Sequence, residues 1–294
     1  MSDLVTWRDP RPGVAAVMLH SLQGFLDAGS AGRLAVERIL AECPNRIVAE
    51  FDIDDLYDYR ARRPRMTFLS DHYGQVDLPQ LVVHEVHDLT GTPFLLLHGP
   101  EPDFRWQRFV AAVRHVVAEL QVQRVVGMHA VPWPAPHTRP VGITAHATDR
   151  SMIPDATSWV GALEVPGHVA GMLELSLGEH GHDAMGFAAH VPHYLVNVEY
   201  PRAALALLEA AAASTGLVLP FDALREAAAR SDAEIAAQVA SDPDNVEAVQ
   251  AMEVQYDALV QQRGLPVVDE ELPSGEEIAA QVERFLADRS DGEN

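Results

Sequence analysis

Three short apolar segments of this chain end in histidine: VAAVMLH at His20, PFLLLH at His98 and RVVGMH at His129. Imidazole changes charge near neutral pH and serves as general base, metal ligand or hydrogen-bonding group. If the three segments are neighbouring strands of an open α/β sheet, the histidines sit at their carboxyl ends, where such sheets bind ligands in a crevice. A histidine at a strand end also serves simply as a hydrogen-bonding residue where the chain leaves the core. Both readings stay open at this point.

Directly after His129 comes AVPWPAPHTRP, residues 130 to 140. Pro132, Pro134, Pro136 and Pro140 each fix φ near −65° and remove a backbone donor. The segment is therefore expected to be extended, pre-ordered and excluded from any central strand. A stiff loop presents side chains at little entropic cost. Trp133, His137 and Arg139, displayed together, would suit either a small ligand, with Arg139 as the anion contact, or a neighbouring subunit.

Other chemistry-bearing stretches are less specific. GFLDAGSAG (24–32) follows an apolar segment and opens a helix, so its backbone N–H groups could receive an anion. It lacks the GxGxxG spacing and a phosphate-loop lysine, and Asp27 or Ser30 as an ordinary N-cap explains it equally well. HEVHD (84–88) is one residue short of the metalloprotease motif, because His84 and His87 are three apart and face opposite sides of a strand. EHGHD (179–183) puts His180, His182 and Asp183 in a turn that could chelate a divalent metal weakly; a polar surface loop is the preferred reading, and no metal site is expected. ELSLG (174–178) has Glu174 where a nucleophile elbow needs glycine. YRARRPR carries Arg60, Arg62, Arg63 and Arg65, which would bind a carboxylate or phosphate. The same cluster could instead pair with the acidic DIDDLYD (52–58), within the chain or across a subunit contact, and this second reading is preferred.

Composition narrows the function classes further. The 294 residues carry a formal net charge of −22, which argues against binding to a nucleic-acid backbone. All 21 basic residues are arginine, so Schiff-base chemistry and a phosphate-loop lysine are absent. Cys43 is the single cysteine, leaving no internal disulfide or CxxC pair. No apolar run approaches the roughly 20 residues that span a bilayer, and the start MSDLVTWRDP lacks the features of a secretory signal. Neither a cofactor nor membrane insertion is expected, and the cytoplasm is the default location.

The elements that must position these residues follow from periodicity. Apolar segments at Val14 to Leu19, 46–51, 81–86, 93–98, 124–131, 142–148 and 184–191 alternate with helical patterns in LAVERILAEC, in FRWQRFVAAVRHVVAEL and around 169–178. Short, continuously apolar strands between helices imply a three-layer α/β/α fold around a mostly parallel mixed sheet. From Pro201 the chain becomes Ala/Leu/Glu-rich helix, with stops at Gly216, Ser241-Asp242-Pro243 and Gly264-Leu265-Pro266. The expected division is a core over 1–200, a helical C-terminal portion of the same domain over 201–265, and an acidic tail over 266–294.

Several separated stretches together resemble the PAC2 family, named for proteasome assembly chaperone 2, and its actinobacterial branch in particular. They are GFLDAGSAG, DLYDYRARRP, LLLHGPEPDFRW, PHTRP, and AAHVPHYL before PRAALALLEA. The signature positions are Asp27, Gly29, Tyr59, Arg60, Arg63, Pro64, Gly99, Pro100, Glu101, Trp106, Pro136, His137, Thr138, Arg139, Pro140, Pro192, His193 and Tyr194. The resemblance implies a phosphorylase/hydrolase-like α/β/α fold, a homo-oligomer expected to be a trimer, and a chaperone-like role toward protein partners such as proteasome subunits. It brings no catalytic residues. The candidate pocket or interface set is therefore His20, Asp27, His98, His129, His137, Arg139 and His193. The alternative is a small-molecule binder or hydrolase- or phosphorylase-like enzyme using the crevice at the strand ends.

Overall fold

The computed structural model describes residues 4–8, 10, 13, 15–154 and 162–263. Ten strands and six longer helices are found among them: β1 (Val5–Trp7), β2 (Val17–Gln23), α1 (Ala31–Glu42), β3 (Asn45–Phe51), β4 (Met66–Leu69), β5 (His72–Val76), β6 (Val82–His87), β7 (Pro93–Pro100), α2 (Trp106–Glu119), β8 (Arg124–Trp133), β9 (Ile143–Ala147), α3 (Val169–Glu179), β10 (Asp183–Pro192), α4 (Pro201–Thr215), α5 (Asp222–Ala240) and α6 (Pro243–Arg263). The expected strand start at Val14, the helix stop at 264–266 and the tail over 266–294 lie outside the described residues.

Eight strands form one mixed sheet in the order β1-β3-β6-β7-β2-β8-β10-β9. The central strands β7, β2, β8 and β10 are parallel to one another, while the flanking pairings are antiparallel. This is the expected α/β fold, with the parallel portion confined to the centre.

Both faces of the sheet are covered, which is why the strands read as continuous apolar runs rather than alternating ones. On β2, Leu19 points into a core shared with α1, α4 and α5, whereas Met18 and Leu22 point into a second core under α2 and α3. On β7, Phe94 and Leu96 face the first core and Leu95 and Leu97 the second. Each of these side chains is buried, and burial contributes about 1.5–3 kcal/mol apiece. Helix α4 opens with Pro201 in its first turn and ends at Gly216, whose φ of 75° a side chain would resist. It buries Ala203, Ala204, Leu207, Leu208 and Ala211, so it is a layer of the core, and the appendage proper is α5 and α6.

Pro132 corrects one expectation. It lies inside β8, opposite Val191 of β10. Beside it the β2 ladder has already ended at Gly127, so this end of β8 has lost one of its two neighbours and tolerates a missing donor. Two further elements were not anticipated: the edge strand β1, and the hairpin β4–β5, which forms a separate two-stranded sheet.

Candidate functional site

At the face of the sheet covered by α2 and α3, one cross-strand row runs His20–Gly127–Gly186–His146 through β2, β8, β10 and β9. His129 stands on the same face of β8, two residues beyond Gly127. Its Nε2 lies 2.9 Å from Nε2 of His146, and Nδ1 of His146 lies 2.7 Å from Oε2 of Glu174 on α3. A carboxylate only accepts, so Nδ1 of His146 carries the proton; in neutral rings His129 then donates from Nε2 to the free Nε2 of His146. His168, which precedes α3, completes the group with its ring centroid 6.3 Å from that of His129.

The glycines make this cluster possible. A Cβ at Gly186 would stand 2.3 Å from Cε1 of His146, and one at Gly127 would stand 2.9 Å from both Cε1 of His129 and Nε2 of His20. Glycine in a central strand is otherwise unfavourable, and here it leaves the room the rings occupy. His20 and His129 are 4% and 6% exposed, and Nδ1 of His20 has no hydrogen-bond partner. Burial, reinforced by His146 and His168, lowers the pKa of His20 to about 4, and burial with the same neighbours and His20 holds His129 well below the ordinary value. The cluster is a hydrogen-bonded chain open to solvent at its His146 end.

The other expected residues go elsewhere. His98 shares the strand parity of Leu96 and so lies on the opposite face of the sheet from His20 and His129. It packs against His84, ring centroids 5.0 Å apart, and burial lowers its pKa to about 4. The three strand-end histidines therefore do not converge.

Asp27 accepts from the N–H groups of Gly32 and Arg33 in the first turn of α1, while the Ser30 side chain caps nothing. An internal carboxylate thus occupies the place an anion would take. Glu101 does the same for α3, accepting from Val169 N–H at 2.8 Å. Histidine 168 adds a bond to Gly171 N–H.

The PHTRP loop bonds to the chain's own helices, with Thr138 and Pro140 remaining exposed. The Tyr194 hydroxyl accepts from His137 N–H and donates to His137 Nδ1, both at 2.8 Å. Arg202 donates to the His137 carbonyl and pairs with Asp232 of α5. Thr138 bonds Glu253 of α6, and Arg139 pairs with Glu253 and Asp257 of the same helix. The loop fastens the chain's own helical appendage to the core. His193 is exposed in the turn after β10, edge-on to Tyr194.

In the arginine cluster, Arg62 stacks on Tyr57, donates to the Glu101 carbonyl and pairs with Asp103, while Asp55 of the acidic segment takes Arg105 instead. Asp58 receives only the backbone N–H groups of Arg60 and Ala61. No side-chain ion pair between this cluster and the acidic residues of 52–58 is present among the described residues, and the side chains of Arg60, Arg63 and Arg65 have no hydrogen bond or ion pair there.

Sequence reasoning missed His146, His168, His190 and Glu174. The first two are separated from His129 by 17 and 39 positions; strand register brings in His146, and the packing of α3 on the sheet brings in His168. His190 stacks on Trp133 with centroids 3.8 Å apart, a pairing set by the parallel register of β8 and β10. Among the described residues no group of three or more ligating side chains is arranged to hold a metal ion, and no helix is long and apolar enough to cross a membrane. Two shallow concavities of about 460 and 260 Å³ lie between α2 and α3, lined by Trp106, Gln107, Arg114, Met172 and Leu175 among others, away from the histidine row.

Comparison with known proteins agrees with this architecture. The PAC2 family model matches residues 21–239. A Mycobacterium tuberculosis protein of unknown function superposes with a TM-score of 0.85 at 43% identity, covering 89% of this chain and 93% of its own. A Corynebacterium glutamicum protein of unknown function gives 0.84 at 34% identity, covering 88% and 98%. A proteasome-assembly chaperone homologue from Mycobacterium tuberculosis gives 0.71 at 26% identity, covering 79% and 98%. No curated protein matches the chain. With a family match over most of its length and relatives above 30% identity, the chain belongs to the PAC2 family.

Proposed function

We propose that this chain is a homo-oligomeric, chaperone-like protein-binding factor of the cytoplasm whose partners include proteasome subunits. The observation that carries the reading is the β4–β5 hairpin. Its register pairs Phe68 with Tyr73 and Met66 with Val76, and a bulge between the two pairs places all four side chains on one face. Phe68 is 58% exposed and Tyr73 70%, their rings in edge contact at 5.1 Å. A two-stranded hairpin is at best marginally stable alone in water and presents its apolar face to something else. The relative described as a proteasome-assembly chaperone homologue supports the choice of partner class.

The test mixes the full-length chain with purified actinobacterial proteasome α and β subunits and reads contacts by crosslinking mass spectrometry. Crosslinks mapping to residues 66–76, lost in the Phe68→Ser/Tyr73→Ser variant, are expected. No crosslink to either subunit would overturn the proteasome assignment.

A second reading, a small-molecule binder, draws on the unpartnered Nδ1 of buried His20 beside the His129–His146–Glu174 chain. Native mass spectrometry of the purified protein showing a retained small molecule that His129→Ala releases would favour it.

A further inference from the structure

The two concavities between α2 and α3 share Gln107 and Met172, so they form one groove running along both helices. Val110, Met172 and Leu175 give it an apolar lining, and Leu175 is 65% exposed. The groove is also basic, in a protein whose formal net charge is −22. Arg105 pairs with Asp55, but Arg108 makes no ion pair among the described residues, and Arg114 meets only Ser176 and the His180 ring. Glu179 is the one carboxylate among the described lining residues. An occupant must therefore bring apolar side chains together with negative charge.

The chain carries such a segment after α6. In SGEEIAAQVERFLADR (274–289), Ile278, Val282, Phe285 and Leu286 follow the i, i+4, i+7, i+8 spacing of a single helical face. Ser274 and Glu277 stand at its start with the spacing of a capping box. Residues 266–294 hold nine carboxylates against two arginines. A helix of this length is marginal in water by itself and gains its stability from covering the apolar face.

Charge and reach both favour the groove as the seat of this segment. Around the α5–α6 turn Glu234, Asp242, Asp244 and Glu247 are exposed, and they repel an acidic helix that the arginines of the groove attract. Glu253 and Asp257 tie α6 to the loop after β8, whereas α2 starts after β7. Only β2 lies between these parallel strands, a distance of about 10 Å. Residues 264–273 span up to about 33 Å when extended, enough to cross the strand ends to the α2–α3 face.

We propose that residues 274–289 dock as a helix in the α2–α3 groove of their own chain, setting their apolar face on Met172 and Leu175 and their carboxylates toward Arg108 and Arg114. The chain thereby fills with its own tail a groove of the kind that takes partner helices. This contact is independent of the protein partner proposed above.

Hydrogen-exchange mass spectrometry of the full-length protein tests it. Amides of 274–289 are expected to exchange at least about tenfold more slowly than those of a synthetic peptide of the same sequence, with less protection as salt is raised. Leu175→Asp, Arg108→Glu/Arg114→Glu and Phe285→Ser/Leu286→Ser, each checked by circular dichroism, should each return the segment to the peptide's rate.

Exchange at the peptide's rate in the parent protein overturns the proposal. So does protection that survives both groove variants, which would seat the segment elsewhere. Mixing Leu175→Asp copies with Phe285→Ser/Leu286→Ser copies identifies whose groove is filled. The intact tail of the Leu175→Asp copy should stay unprotected, and renewed protection would assign the contact to a neighbouring copy and overturn docking within one chain.

Discussion

Arg139 and Asp257 form a two-point ion pair, Nε to Oδ1 at 2.8 Å and Nη2 to Oδ2 at 2.6 Å, joining residues 118 positions apart. With the Glu253 contacts it is the main polar fastening of α6, which buries little: Val249 is its one buried apolar side chain among the described residues. The helix depends on charge where most helices of this fold depend on an apolar face.

Replacing Arg139 should free α6 without unfolding the sheet. In Arg139→Ala, amide exchange over residues 244–258 is expected to rise on the order of tenfold, with β2, β7 and β8 unchanged. Arg139→Lys should recover only part of the protection, since an ammonium cannot make the forked contact. Mass-spectrometric hydrogen exchange reads both, and unchanged protection of α6 in Arg139→Ala would show that α5 packing alone holds it.

The glycine row gives a stability prediction whose sign separates two causes. In an unobstructed strand, Gly→Ala stabilises by about 0.5–1 kcal/mol. At Gly186 the new methyl would meet the His146 ring at 2.3 Å, so Gly186→Ala should destabilise by about 1–3 kcal/mol. Adding His146→Ala should recover much of the loss. Denaturant unfolding of the two variants measures it, and a Gly186→Ala protein as stable as the parent would refute the crowding argument.

The buried histidines set a pH dependence. His20, His98 and His190 have their pKa values lowered to about 4, chiefly by burial, against an ordinary value of 6.5. Between these limits the unfolded chain takes up protons that the folded chain refuses. Their contribution is complete above about pH 6.5 and lost as the pH falls toward 4, each histidine adding up to about 1.4 kcal/mol per pH unit. Urea unfolding between pH 7.5 and 5 should show stability falling on acidification, with a shallower slope in His98→Leu. An equal slope in that variant would contradict the assignment.

Much of the architecture was legible because its signal is local. Continuous apolar runs such as PFLLLH, helix stops at Gly216 and at Ser241-Asp242-Pro243, and the proline spacing in PHTRP each follow from a few adjacent residues. The hairpin escaped notice because Met66, Phe68, Tyr73 and Val76 read as an ordinary mixed stretch until the bulge put them on one face. The loop's partner was illegible too. Nothing near Arg139 in the chain points to Asp257, and the opposite charges of the two residues are shared by many other pairs.

The sequence by itself determined the layers and the family, and its prolines restrict the backbone around PHTRP. Only tertiary structure decided that His98 faces away from His20 and His129, and that His146, His168 and Glu174 take its place beside them. The reason is register for the strand residues and, for His168 and Glu174, the packing of α3 on the sheet. A strand shows its side chains alternately to either face, so which histidines meet depends on strand parity and on neighbours that hydrogen bonds align. Those neighbours are contributed by segments far apart in the chain, and their alignment is a property of the assembled sheet.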